Sequence, residues 1–285
     1  MTNYPVAALI SVYKNDQIQQ FTQAIESLLE QDYGAQNIHI YLGIDGPIPE
    51  EIEQYIKSYS NCFHKIIRNQ TNQGLAVTLN RLINAVENEK YIFRMDADDI
   101  ALPFRFRLQA EFMEANPDVD VVGGGIVEFG ADGNAITERY YPETHVEILQ
   151  YIKKSNPLAH MTTCFRREVF EKGVLYPTND FPEDLALWFG MLSKGFRIAN
   201  IPHTLVRVRT ASGYYARRNF RWAYSEMKTY LKGIRLLFGF SWCMTLPMCR
   251  FMMRCCPTFV TRAIYQSRAQ FMNPPSSKNQ QQKAA

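Results

Sequence analysis

The sequence predicts an α/β fold, a doubly wound and mostly parallel sheet with helices on both faces, continued at its C-terminus by a basic helical extension. Three observations carry this. Short apolar runs of strand length alternate with amphipathic runs of helical spacing from residue 6 to residue 95, the rhythm of parallel strands joined by crossover helices. A chain of 285 residues that is 46% hydrophobic can bury a large core without staples, which sets aside disordered and fibrous readings. Charge divides the chain: residues 207–285 carry 14 Lys+Arg against the single acid Glu226, whereas the rest carries 17 Lys+Arg against 27 Asp+Glu. Such asymmetry marks a tail that faces a polyanion while the body does separate work.

The elements follow in order. Val6 to Tyr13 is short, apolar and rich in strand formers, as a strand buried on both faces reads. Asp16 to Glu30 places Ile18, Phe21, Ile25, Leu28 and Leu29 on one helical face. His39 to Ile44 is a second strand ending on the turn signal Asp45-Gly46-Pro47, and a helix follows around Ile52 to Tyr59. Phe63 to Arg68 and Tyr91 to Met95 are strands flanking a helix over Leu75 to Glu87. Beyond Asp99 come a helix (Arg105 to Ala115) and a strand (Val119 to Val122) running into Gly123-Gly124-Gly125, where missing side chains permit a bulge. Val127 to Tyr141 reads as a hairpin turning at Asp132-Gly133. Helices at His145 to Lys153 and Asp184 to Lys194 surround a strand near Thr162 to Arg166. Residues 273–285, rich in Pro, Ser, Lys and Gln, read as a disordered tail.

The six cysteines, Cys62, Cys164, Cys243, Cys249, Cys255 and Cys256, have no zinc-type pairing and read as free thiols in a reducing compartment. The apolar start has no basic flank and no cleavage site, so it reads as a strand and not a secretory signal.

The strongest chemical signal is Asp96-Ala97-Asp98-Asp99 directly after a buried strand. Carboxylates two residues apart at a strand end suit a hard divalent cation, Mn²⁺ or Mg²⁺, bridging to a diphosphate. They equally suit capping of the next helix. Asp45 ends another strand of the same rim, where a carboxylate accepts hydrogen bonds from a ribose or base; an ordinary Asp-Gly turn fits as well. Glu183 and Asp184 begin an amphipathic helix, placed either to act as a general base or to complement the helix dipole.

In their order and spacing these pieces resemble glycosyltransferase family 2, in particular bacterial members that build capsule, exopolysaccharide or lipopolysaccharide. The resemblance runs from Pro5 to Arg209 and rests on Ala8 to Tyr13, Asp45, Asn72-Gln-Gly-Leu-Ala76 with Asn80, and Phe93 to Ile100. It continues through Pro103, Arg105, Gln109, Asn116 to Gly123, Asn156-Pro-Leu-Ala-His160 and Phe181 to Trp188. It implies a GT-A fold over residues 1–210, with a nucleotide-binding half (1–99) and an acceptor-binding half (100–210). Inverting transfer from a nucleotide-sugar donor, expected to be a UDP-sugar, to a saccharide or lipid-linked acceptor is the implied reaction. Ser11, Tyr13, Asp45, Asn80, Arg94 and Asp96 would serve the donor, Asp96 and Asp98 the metal, and Asp184 would be the base. Arg207 or Arg209 stands where the family places a segment near the diphosphate, with plain surface charge as the competing reading. His160, Glu183 and Trp188 are acceptor-side candidates, with a backbone-bonded His160 and a core Trp188 as the competing readings.

Gly43-Ile-Asp-Gly-Pro47 keeps one acid where many members have a pair, and Arg221-Trp222 lacks the Gln that a processive synthase motif requires. A nucleotidyltransferase is disfavoured because Ser11 to Asn15 contains no glycine to cradle a triphosphate. A sugar-nucleotide binder without turnover is the other rival. In the extension, residues 211–272, the apolar run Leu236 to Cys249 is cut too early by Pro247 and Arg250 to span a membrane. It reads as an interfacial helix, aided by Arg217, Arg218, Arg221, Lys228, Lys232, Arg235, Arg250, Arg254, Arg262 and Arg268 at up to about 1 kcal/mol each near an anionic leaflet. A helical extension packed on the domain or on a second copy is the alternative. No nucleic-acid module accompanies the charge. The expected location is therefore cytoplasmic, on the inner face of the membrane.

Overall fold

The computed structural model describes residues 4–130, 132–210 and 220–255. The first half alternates as β1 (Val6–Val12), α1 (Ile18–Leu29), β2 (Ile38–Asp45), α2 (Glu50–Ser58), β3 (Phe63–Asn69), α3 (Leu75–Ile83) and β4 (Tyr91–Asp96). There follow β5 (Ile100–Ala101), α4 (Arg105–Ala115), β6 (Val121–Phe129), β7 (Ala135–Arg139), α5 (His145–Tyr151), β8 (Cys164–Arg166), α6 (Arg167–Glu171) and α7 (Glu183–Ser193). The last elements are β9 (Ile198–Arg209), α8 (Phe220–Phe238) and α9 (Thr245–Cys255).

The nine strands of the described residues join one sheet, in the order β3-β2-β1-β4-β8-β6-β9-β5 with β7 on β6. The first four strands are parallel, as crossover helices require. The second half is mixed: β8 runs antiparallel to β4 and β6, β5 antiparallel to β9, and β6 parallel to β9. Period-two alternation divides β1 between two cores. Val6, Ala8, Ile10 and Val12 pack under α1, α2 and α4, whereas Ala7 and Leu9 pack under α3, α7 and α8. Helices therefore cover both faces. The triple glycine of β6 forms the expected irregularity, with register shifts against β9 on both sides of Gly125.

Two strands absent from the sequence reading, β5 and β9, matter for the site. Pairing of Ile100 with Arg207 and Ala101 with Val206 brings the 207–209 segment beside the acidic turn.

The extension is packed on the domain, the alternative reading above. Gly233 of α8 lies against the Phe189 ring of α7 so closely that a Cβ there would come within 2.2 Å of ring atoms. Phe189 and Tyr230 meet edge to face with centroids 6.0 Å apart, Thr229 Oγ1 donates to the Phe181 carbonyl at 2.8 Å, and Lys232 pairs with Asp180. The apolar run Leu236 to Cys249 is not one helix: Gly239, at φ +67°, ends α8, and a short 3₁₀ turn leads into α9. No helix among the described residues is long and apolar enough to cross a membrane. Five cysteines are free. Cys256, Arg217, Arg218, Arg262, Arg268 and the tail from residue 273 lie outside the described residues.

Candidate active site

The carboxyl ends of β1, β2 and β4 form one rim, with Ser11 in register with both Gly43 and Asp96. At this rim carboxylate oxygens of Asp96, Asp98 and Asp99 lie within 4.8 Å of one another. Asp99 is 2% exposed, and burial, reinforced by the charges of Asp96 and Asp98, pushes its pKa well above the carboxylate range. Asp16 joins them from the loop after β1. Its pKa is pushed up to about 7, chiefly by burial and then by Asp98 and Asp96, although the Tyr13 amide donates to it at 2.8 Å. The sequence reading missed Asp16, taking it for the start of α1.

Against this crowd of acids stand two arginines. Arg209 donates its amide to Asp99 Oδ1 at 3.0 Å and its Nε to the Asp98 carbonyl at 3.3 Å. Arg94, buried on β4, pairs with Asp96 through Nη2, while its Nε and Nη1 have no hydrogen-bond partner. An all-oxygen donor set with raised, mutually repelling acids is the chemistry that a hard divalent cation satisfies. The residues present fit Mn²⁺ or Mg²⁺.

Arg94 connects this cluster to a second one at the start of α7. Burial raises the pKa values of Glu183 and Asp184, and the Arg94 charge opposes both shifts. Asp184 Oδ2 accepts a 2.6 Å hydrogen bond from Asn156 Nδ2. A carboxylate fixed in orientation and made more basic by burial suits proton abstraction. Asp184 opens into a cavity of about 390 Å³. A roomier cavity of about 540 Å³, lined by Leu108, Asn116, His145 and His203, holds none of these carboxylates.

Several predicted site residues are placed otherwise. Asp45 is no free rim carboxylate: it is 5% exposed and accepts from Asn69 Nδ2, the Gln73 amide and the Gly74 amide at 2.7–2.9 Å, holding the loop that starts α3. Asn80 is engaged within the fold: its amide exchanges two hydrogen bonds with the backbone of Tyr176. Trp188 is 0% exposed, stacked on Phe165, and so is core and not an acceptor platform. His160 is buried, with Nε2 2.7 Å from Tyr176 Oη; burial, then Arg94, lowers its pKa far enough to keep it neutral. It positions Tyr176 and touches no open surface. Arg207 turns to the hairpin, donating to the Gly133 carbonyl at 3.0 Å, which leaves Arg209 as the arginine at the acidic turn. Tyr13 is 39% exposed beside Asp16.

A mixed sheet covered by helices on both faces, with a C-terminal helical extension, is the fold of GT-A glycosyltransferases, and solved structures of that class share it. Staphylococcus aureus TarS (residues 1–349), solved with UDP-GlcNAc, superposes with a TM-score of 0.65 at 16% identity, covering 88% of this chain and 72% of that one. The Pyrobaculum calidifontis mannosyltransferase PcManGT, solved with GDP-Man and Mn²⁺, gives 0.63 at 14%, covering 96% and 82%. The chain belongs to Glycosyl transferase family 2, whose profile matches residues 8–174. It is 31% identical over 226 residues, 79% of this chain and 84% of the other, to the amylovoran biosynthesis glycosyltransferase AmsE of Erwinia amylovora.

Proposed function

We propose that this glycosyltransferase is metal-dependent and inverting, and moves a sugar from a nucleoside diphosphate donor, UDP first among the candidates, to a hydroxyl of a saccharide or lipid-linked saccharide in cell-surface polysaccharide synthesis. The observation that carries the reading is the pair of acidic clusters on either side of Arg94: one crowded enough to hold a cation, the other a single oriented base. The donors bound by TarS and PcManGT and the polysaccharide role of the Erwinia relative support the substrate classes.

Asp96 and Asp98, with Asp99 beside them, would hold Mn²⁺ or Mg²⁺, which would offset charge on the departing diphosphate. Arg209 stands next to this turn as a further cation for the diphosphate. Asp184 takes the proton of the acceptor hydroxyl. The oxygen bonds to the anomeric carbon from the face opposite the diphosphate, the bond to the diphosphate breaks, and configuration inverts. Asp45 shapes the nucleoside side indirectly, by fixing the Gln73-Gly74 loop.

Location at the inner face of an anionic membrane belongs to the same proposal. Leu236, Phe240, Trp242, Met248 and Met252 are exposed at the end of α8 and along α9, with Arg235 over the Phe240 ring, a mix suited to interfacial docking. The deciding experiment is a panel of nucleotide sugars with Mn²⁺ or Mg²⁺, read first by binding and then by product mass. Asp184→Asn lowers transfer by about 10²–10⁴-fold with donor binding intact; unchanged turnover would remove Asp184 from its role.

A further inference from the structure

The cavity beside Asp184 has a second wall that the catalytic fold does not supply. Asn156 and Asp184 stand on one side; Trp222 and Glu226 of α8 and Arg250 and Arg254 of α9 stand on the other. The arginines both pair with Glu226, the sole acid in residues 207–285, so the trio keeps one unit of positive charge. Their side chains remain about a third exposed, at 30% and 32%. Arg254 lies over the half-buried Trp222 ring at 5.3 Å, and that ring meets Phe181 edge to face. Of the other acids in this region, Asp180 pairs with Lys232, Asp184 accepts from Asn156, and burial, then Asp184, raises the pKa of Glu183 beside it. The close contact of Gly233 with Phe189 fixes the wall in place.

We propose that this cavity is the acceptor subsite and that it selects a saccharide bearing an oxyanion, a phosphate or a carboxylate. Arg250 and Arg254 bind the oxyanion through charge-assisted, forked hydrogen bonds, and Trp222 offers an aromatic face to the sugar ring. The inference rests on reading Asp184 as the base, because the bound saccharide must present its hydroxyl there.

The test titrates the full chain, with Mn²⁺ and UDP filling the donor site, with glucose, glucuronate and glucose 1-phosphate. At least one charged sugar binds about tenfold more tightly than glucose, and the better of the two identifies the oxyanion. Arg250→Gln/Arg254→Gln removes the preference, with circular dichroism reporting that the variant is folded. Glu226→Gln, which releases both arginines, tightens charged-sugar binding. A merely structural role for the trio would weaken binding in both variants, so Glu226→Gln carries the test even where the double variant melts early. Equal binding of all three sugars, a preference that survives the double substitution, or weakening in Glu226→Gln overturns the proposal. Unchanged transfer in Asp184→Asn, with the charged-sugar preference intact, overturns instead the reading on which it rests.

Discussion

The two ends of the parallel strands each hold a cluster of three potential metal ligands, yet they treat their buried carboxylates in opposite ways. At the amino ends, Glu89 Oε1 accepts from His39 Nδ1 at 2.6 Å and Tyr41 Oη at 2.7 Å, and Oε2 accepts from the amides of Glu87 and Asn88 at 3.0 Å. Burial works to raise its pKa, but these donors outweigh it and hold the carboxyl down to about 2. At the carboxyl ends, Asp16 and Asp99 are pushed upward by burial and by neighbouring acids. A carboxylate with every lone pair engaged is part of the scaffold, whereas one held among its own kind stores repulsion that a cation can relieve. Membership in a ligand-like cluster therefore does not separate the two; satisfaction does.

That contrast can be broken in four ways, the largest first. Asp98→Asn lowers transfer by about 10²–10³-fold, the scale of losing one preorganised electrostatic contact, while its melting temperature equals or exceeds that of the wild type because a like charge is gone. A destabilised Asp98→Asn would make the rim structural after all. Glu89→Ala has the reverse profile: stability falls by roughly 3 kcal/mol, since the Tyr41 hydroxyl and two backbone amides lose their acceptor, and turnover per folded molecule is unchanged. Chemical denaturation alongside an assay normalised to folded protein checks this.

Mn²⁺ at a hundred times its dissociation constant stabilises the wild type by about 2.7 kcal/mol, and the gain disappears in Asp98→Asn but persists in His64→Ala at the opposite end. Calorimetry with and without the ion reads both. The smallest effect is in pH. Glu89 is depressed from 4.5 to about 2 in the folded protein, so its contribution is complete above the unfolded value and drains away as pH falls from 4.5 towards 2. The melting-temperature gap between wild type and Glu89→Gln should narrow across that window; a constant gap would deny Glu89 its charge-dependent role.

Much of the architecture was legible from local pattern. The apolar runs at Val6, His39 and Tyr91 became parallel strands, because strands buried on both faces announce themselves as continuous apolar sequence, and the more polar Phe63 segment became the parallel edge strand β3. Asp96, Asp98 and Asp184 were singled out from strand-end and helix-start positions together with the family resemblance, and the structure places the first two in the acidic turn and the third in the first turn of α7. What escaped depends on contacts distant in sequence. Ile100–Ala101 is too short to read as a strand until Arg207 and Val206 pair with it. Asp16 lies 80 residues before Asp96 and carries no motif. Asn80, His160 and Trp188 looked like donor or acceptor contacts, but their burial and their ties to Tyr176 and Phe165 are set by tertiary packing. The extension was readable as basic and amphipathic, but not as the neighbour of α7, since a glycine facing a phenylalanine leaves no trace in composition.

That glycine makes the gap between catalytic body and extension adjustable from a distance. Any side chain introduced at Gly233 must displace the Phe189 ring or lift α8, and lifting α8 would widen the mouth around Asp184 without altering a residue that lines it. Graded substitutions there, Ala then Ser then Val, amount to a spacer series, in which water competes with the natural acceptor more successfully at each step and the enzyme drifts from transferase towards hydrolase.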